Sequence, residues 1–351
     1  MVAKQAAVKP IAPPLLYPEH SDLSYYLDPN GYPRPILTPA DWQVRRQHIL
    51  HHIQTVMGPL PDRTKRVPLQ LQTLEEISLE AKGTGPAVQR LKIEYQTEAD
   101  TKVRAYLFKP VGEPKKRAAI LCLHQTVGIG KQEPAGLGGS PNLHYALHLA
   151  QRGYVTLAPD YPSFGEYEYD FAPTHGYISG SMKAIWDNMR AIDLLETLPE
   201  VDSRRLGCIG HSLGGHNTMF TAVFDERIKA LVSNCGFTRF HKYYEGKLKG
   251  WTSLRYMPLI EKTYENNAHR VPFDFPEIVA SFAPRAFLAS SPKGDSNFEV
   301  SGVVDSIASA KPIYELAGVP NNLQANYPDC AHDFPEPVRE TAYAFFDKHL
   351  M

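Results

Sequence analysis

A short run that is apolar at consecutive positions, followed by a longer stretch with apolar residues at helical spacing, recurs along most of this chain. "RAAILCLHQT" carries an unbroken apolar run from Ala118 to Leu123, the pattern of a strand buried on both faces of a parallel sheet. "YVTLAPD", "RLGCIG", "IKALVSNC", "PRAFLAS" and "NLQANYPD" have the same character. Between several of them lie helical stretches. The clearest, "SMKAIWDNMRAIDLLETL", places Met182, Ile185, Trp186, Met189 and Ile192 near the period of a helix; "EPVRETAYAFFDKHL" is the last. Strands alternating with helices predict an α/β fold with a mainly parallel, doubly wound sheet and helices on both faces.

Ahead of this region the pattern differs. "VQRLKIEYQ" and "VRAYLFKP" alternate apolar with polar residues, as antiparallel strands do. "TPADWQVRRQHILHHIQTVMG" predicts a helix capped by Thr38 or Asp41, with Trp42, Ile49, Ile53 and Met57 roughly along one face. Residues 1 to 38, rich in proline and tyrosine, read as an extended arm lying on the body. The expected organisation is therefore an arm and helix over 1–64 and an α/β domain over 65–351. Within that domain residues 236–276 separate two strand-like runs by more than a plain connection needs, which predicts a cap or binding loop.

Composition narrows the classes. With 37 basic and 38 acidic residues among 351, the chain has no field suited to recruiting nucleic acid or an anionic membrane. It also lacks the long apolar run that a spanning helix requires. The stretch "MVAKQAAVKPIAPPLLYPEH" has no apolar core of a secretory signal. A cytoplasmic protein is expected if this is the native start, and a secreted or periplasmic one if a leader has been removed. Cys122, Cys208, Cys235 and Cys330 are spaced too irregularly for a disulfide framework or a paired-cysteine metal site; free, mostly buried thiols are expected.

Chemistry enters at "RLGCIGHSLGGHNTMF". Gly210, Gly214 and Gly215 bracket Ser212 where an apolar strand stops and a helix starts, the demand of a G-x-S-x-G nucleophile elbow. A serine hydroxyl is a weak nucleophile and needs a base and a group that orients the base. In an elbow fold these follow in the order acid, then histidine. His241, His269, His332 and His349 all lie downstream, and His332, in "YPDCAHDFP" between the last strand and last helix, has the loop position expected of a base. Asp295, in the loop "SSPKGDSNF" after a strand, is the preferred acid over Glu299 and Asp305. The oxyanion donors are expected from the Leu213 N–H and from the loop "HQT", first the Thr126 N–H and next Gln125; His124 is expected to shape that loop.

These residues resemble the α/β-hydrolase superfamily, in the branch that holds dienelactone hydrolases, acetyl xylan esterases and the catalytic domain of prolyl oligopeptidases. The resemblance runs over residues 65 to 350 and rests on "LCLHQT", "RGYVTLAPDYPSFGEY", "VDSRRLGCIGHSLGG", "GDSNF" and "CAHDFP". Asp295 follows Ser212 by 83 residues and His332 follows Asp295 by 37, a layout closer to the oligopeptidase type than to the shorter dienelactone hydrolases. By that resemblance Thr126 matches the oxyanion-loop position, and Gln125 stands where a glycine is frequent.

The expected activity is cofactor-free hydrolysis of small carboxylic esters, acetylated or aromatic, through an acyl-enzyme. Peptide hydrolysis and acyl transfer use the same residues. With no β-propeller pattern ahead of the domain, the ester is favoured over the peptide, and a non-enzymatic ligand-binding protein of this fold is the remaining alternative. The 236–276 stretch holds Phe237, Phe240, Tyr243, Tyr244, Trp251, Tyr256 and Tyr264 among basic residues; it is expected either to stack on sugar or aryl rings or to pack on the body. Trp251, Phe237 and, from the loop after "YVTLAPD", Tyr161 are the expected substrate contacts. "HILHH" places His48 and His52 on one helical face at a zinc-compatible spacing, but without a third ligand a solvent-facing or loosely packed helix is expected and no metal.

Overall fold

A computed structural model describes residues 15–113, 115–171 and 176–351 of the chain; the start of the expected arm, residues 1–14, lies outside the described residues. A small hairpin of β1 (Tyr25–Leu27) and β2 (Pro33–Pro35) precedes α1 (Pro39–Met57). The Thr38 hydroxyl accepts from the Asp41 N–H while the Asp41 carboxylate accepts from the Thr38 N–H, so the two alternative caps act as a reciprocal pair.

Helix α1 is not loosely packed. It buries Trp42, Arg45, Arg46, Ile49, His52, Ile53, Val56 and Met57. Arg45 is wholly buried because its guanidinium lies over the Tyr17 ring and donates to Glu277 Oε1 at 2.6 Å. His20 reaches the other oxygen of the same carboxylate at 2.9 Å. Burial pushes the Glu277 carboxyl up, but His20 and Arg45 outweigh it and hold the group at about 2. The arm is thus tied to the body through one buried carboxylate. His48 and His52 are likewise committed, to the Tyr17 hydroxyl and to the Leu15 carbonyl.

Three antiparallel strands follow, β3 (Gln72–Leu79), β4 (Val88–Glu98) and β5 (Thr101–Pro110). The remainder alternates: β6 (Arg117–Leu123), α2 (Tyr145–Gln151), β7 (Val155–Pro159), α3 (Gly180–Thr197), β8 (Val201–His211), α4 (Leu213–Phe224) and β9 (Ile228–Asn234). Then come α5 (Leu259–Lys262), α6 (Phe275–Ala280), β10 (Ala286–Ser290), α7 (Val300–Leu316), β11 (Leu323–Asn326) and α8 (Glu336–Leu350). All strands from β3 onward join one nine-stranded sheet in the order β11-β10-β9-β8-β6-β7-β5-β4-β3. From β11 to β7 neighbours run parallel, and β5 turns antiparallel against β7.

The unbroken apolar run of β6 now has its cause. Ala118, Ile120 and Cys122 face one core layer with α2 and α8, while Ala119, Leu121 and Leu123 face the other with α1, α3 and α4. Alternate side chains leave a strand on opposite faces, so a strand covered twice must be apolar throughout.

Chain order and spatial order part company beside β6. β7 lies on one side of it and β8 on the other, which opens a crevice at the carboxyl ends of β6 and β8, the place where open α/β sheets bind ligands. The register keeps those ends level: Leu123 pairs with Gly210, His211 with Asn234, and Asn234 with Ser290. The loops after β6, β8, β9 and β10 therefore emerge along one edge. No helix among the described residues is long and apolar enough to cross a membrane.

Candidate active site

Ser212 sits between β8 and α4 with φ 54° and ψ −118°, a left-handed conformation that is costly for any residue with a side chain. The glycines explain how the bend closes. A Cβ at Gly210 would collide with the backbone of Gly214, and one at Gly214 would collide with the Leu123 carbonyl at the end of β6. With hydrogen atoms there instead, α4 starts against the strand ends. The first two N–H groups of the helix, those of Leu213 and Gly214, have no intrahelical partner and form the positive end of the helix dipole, whereas the Gly215 N–H donates to the Ser212 carbonyl.

Asp295, in the loop after β10, has a side chain only 1% exposed. Its carboxylate accepts from His332 Nδ1 at 2.9 and 3.0 Å and from the backbone N–H groups of Asn297 and Phe298 at 2.8 and 3.0 Å. Burial raises this carboxyl, but His332 and the two N–H donors outweigh it and hold it below the ordinary carboxylate range. His332, between β11 and α8, is thereby fixed with Nδ1 as donor, which leaves Nε2 as the basic nitrogen. Its ring lies 4.7 Å from that of His211, the residue before Ser212. The Ser212 hydroxyl makes no hydrogen bond to His332 in this structure; bonds of this kind commonly tighten only on a bound substrate.

Ser212 opens into a cleft of about 70 Å³ lined by Thr126, Leu213, His216, Tyr243, Gly250, Trp251, Tyr256, Asn297 and Phe298. Thr126 and Leu213 thus share the wall that holds Ser212, and the Thr126 hydroxyl is hydrogen-bonded to the Tyr256 hydroxyl at 2.9 Å. Gln125 does not line the cleft. Its side-chain amide donates to the buried Glu133 carboxylate at 2.9 and 3.1 Å, which anchors the loop from behind. His124 is buried against Tyr161 and donates to the Gln125 carbonyl at 2.6 Å.

Of the expected substrate contacts, the structure brings only Trp251 to the cleft. Phe237 is fully buried and stacked on Phe275 at 5.2 Å. Tyr161 is buried with its ring 4.3 Å from His124. Both lie in the core because a ring beside a strand end finds apolar neighbours sooner than solvent. The 236–276 stretch packs on the body, as one of its two readings had it, and part of it also lines the cleft. Phe240, Trp251, Phe273 and Phe275 pack edge and face upon one another, while Tyr243, Gly250, Trp251 and Tyr256 wall the cleft.

Sequence reasoning missed His216, Asn297 and Phe298 as cleft residues, and named Tyr243 and Tyr256 only among the aromatic residues of the insertion. For His216 a signal was present: on α4 it stands four places after Ser212, one turn along the same face. Asn297 and Phe298 come with the turn that holds Asp295. Glu299, the rival acid, instead caps α7 by accepting from the Ser301 N–H at 2.9 Å, and Asp305 lies within α7.

Burial lowers the imidazoles of His124, His211 and His216 from 6.5 to about 4, 3 and 3. Each is therefore neutral in the fold and protonates only on unfolding as pH drops below 6.5. Their contribution to stability is complete above that value and is lost as pH falls toward 4, at about 1.4 kcal/mol per pH unit for each group. Urea unfolding should show stability falling by several kcal/mol between pH 6.5 and 5. A flat profile over that range would mean that the folded protein takes up these protons.

Comparison with known proteins agrees with this architecture. The sequence profile of the prolyl oligopeptidase family matches residues 142–351. A Bacillus subtilis (strain 168) protein, YtaP, named a hydrolase by inference, is 26% identical over 308 residues, covering 84% of this chain and 96% of its own. A glucuronoyl esterase from Solibacter usitatus superposes with a TM-score of 0.68 at 18% identity, over 94% of this chain and 97% of that one. Acetyl xylan esterase 1 from a Thermoanaerobacterium species superposes at 0.55 and 16% identity, over 86% and 93% of the two chains.

Proposed function

Since the chain belongs to the prolyl oligopeptidase family, we propose that it is a serine hydrolase of small carboxylic esters, acting through an acyl-enzyme on Ser212. The observation that carries this reading is the hydrogen bond of His332 to the buried Asp295 carboxylate on the sheet edge where the strained Ser212 opens into a small cleft. Ser212 Oγ attacks the ester carbonyl carbon while His332 Nε2 takes its proton. The N–H groups of Leu213 and Thr126 receive the oxyanion. His332 then returns the proton to the departing alcohol. A water molecule, deprotonated by His332, attacks the acyl-serine carbonyl; the bond to Ser212 Oγ breaks, His332 returns the proton to that oxygen, and the acid leaves. All of this uses side chains and backbone of the chain itself.

The size of the cleft favours short acyl groups. The esterase names among the structural relatives favour carbohydrate esters, with two placements of the sugar. In acetylated sugars the sugar is the alcohol, and in uronic acid esters it is the acid. The first is preferred because the volume beside Ser212, about 70 Å³, suits an acetyl group better than a pyranose ring.

The test is a panel of acetylated xylose, methyl glucuronate, aryl esters with acyl chains from acetyl to decanoyl, and short peptides, together with labelling by a fluorophosphonate probe. Acetyl esters are expected to turn over fastest. A preference for decanoyl chains, or cleavage of peptides alone, would reject the reading.

Trp251→Ala removes one wall of the cleft, and a single methylene of fit is worth roughly 10-fold or more in discrimination. The hexanoyl-to-acetyl rate ratio should therefore rise by about that factor. The variant should also lose roughly 3–5 kcal/mol of stability, since Trp251 is only 3% exposed. Equal rate losses on both esters would mean that Trp251 acts only as packing.

A further inference from the structure

Beside the proposed triad, three soft or borderline donors converge that the hydrolytic mechanism does not need as a set. His211 ends β8, Cys235 directly follows β9, and His332 lies beyond β11. One ligand atom from each can be chosen so that all lie within 4.8 Å of one another. We propose that His211, Cys235 and His332 form an inhibitory site for a thiophilic divalent cation, Zn²⁺ being the best fit. The inhibitory part of this inference rests on the reading of His332 as the general base.

Two imidazoles and a thiolate are a donor set that zinc accepts in tetrahedral sites, at bonds of about 2.0–2.3 Å. Such bonds place the ligands roughly 3.3–3.8 Å apart, so closure of about an ångström is required. His332 can supply it. Its loop is the least confined of the three, and its side chain is 24% exposed. The other two donors sit on fixed backbone, the Cys235 backbone N–H donating to the Ser290 carbonyl at 2.9 Å, and the cation takes the His211 lone pair by displacing the Asn234 side-chain amide that donates to Nδ1 at 2.7 Å.

A cation bound here replaces the Cys235 thiol proton, which passes to buffer; the burial that raises this thiol works against the exchange, so only a strongly thiophilic ion makes it. The new thiolate and the Asp295 carboxylate beside His332 then balance the two positive charges. Whichever ring nitrogen of His332 the cation takes, catalysis stops. At Nε2 it occupies the lone pair that accepts the Ser212 proton; at Nδ1 it displaces the bond to Asp295. His48 and His52 do not compete, because among the described residues only His211, Cys235 and His332 bring three such donors together.

Zinc sulfate titrated into the purified protein should progressively abolish ester turnover, and EDTA should restore it, while EDTA alone should leave turnover unchanged. Cys235→Ala should keep metal-free turnover and need at least about tenfold more zinc for half-inhibition. Cys330→Ala should behave as the parent. Binding is read separately with Co²⁺, whose thiolate charge-transfer band should appear in the parent and be absent from Cys235→Ala. Cys235→Ser serves in its place if the alanine variant does not fold. Unchanged zinc sensitivity in the cysteine variant, or no cobalt–thiolate band in the parent, overturns the proposal. A parent with the cobalt band but no ester turnover would instead overturn the esterase reading and leave the metal site standing.

Discussion

Ser212→Ala is expected to reduce ester turnover by a factor on the order of a million and to abolish labelling by a fluorophosphonate probe. The size of the effect follows from what is removed: the covalent intermediate disappears, and only binding and the oxyanion donors remain to act on water. The fold should survive. The hydroxyl makes no hydrogen bond to His332, the side chain is small, the residue is buried, and alanine meets the same left-handed strain at φ 54° that serine already bears. The thermal midpoint should therefore stay within a few degrees of the parent. Activity reduced only about tenfold would exclude Ser212 as the nucleophile, and a lost fold would be seen at once by circular dichroism.

Asp295→Asn should lower kcat by about ten-thousandfold. The carboxylate accepts from His332 and from the N–H groups of Asn297 and Phe298. An asparagine can satisfy the two backbone donors with its oxygen and then turns its amide N–H toward His332. The imidazole must answer with an unprotonated Nδ1, so Nε2 carries the hydrogen and cannot accept the proton of Ser212. Geometry is kept and chemistry is lost. Glu299→Gln and Asp305→Asn should stay within a few-fold of the parent, since one caps α7 and the other lies within it. If either of these were the severe variant and Asp295→Asn were mild, the acid would be misassigned. Stability should change little for Asp295→Asn at neutral pH, which separates a catalytic loss from unfolding.

How much of this was legible beforehand can be argued element by element. The twice-covered strands announced themselves through the segments buried on both faces, because the runs 118–123 of β6, 206–209 of β8 and 230–232 of β9 carry no polar residue. The elbow did too, since close approach of α4 to Leu123 demands glycine at fixed places. Strand β3 did not: it lies on the sheet edge with most of its residues exposed, so burial imposes no pattern on it. The β1–β2 hairpin, with three residues in each strand, was equally silent, and so was the ion cluster of His20, Arg45 and Glu277, whose carboxylate stands more than 200 residues beyond both partners.

The cleft shows the same division. Chain order and loop position singled out Ser212, Asp295 and His332, because local turn chemistry and the order of strands are properties of sequence. Which aromatic rings face the cleft was not such a property. Phe237, Tyr161 and Trp251 are alike in composition and context, yet only Trp251 reaches the wall beside Ser212. The sequence by itself determined the strands, the bend and the chemically capable residues, each through a rule acting over a few positions. Only the tertiary structure decided which side chains meet, as with His211, Cys235 and His332, because sheet order and register bring together residues that no local rule connects.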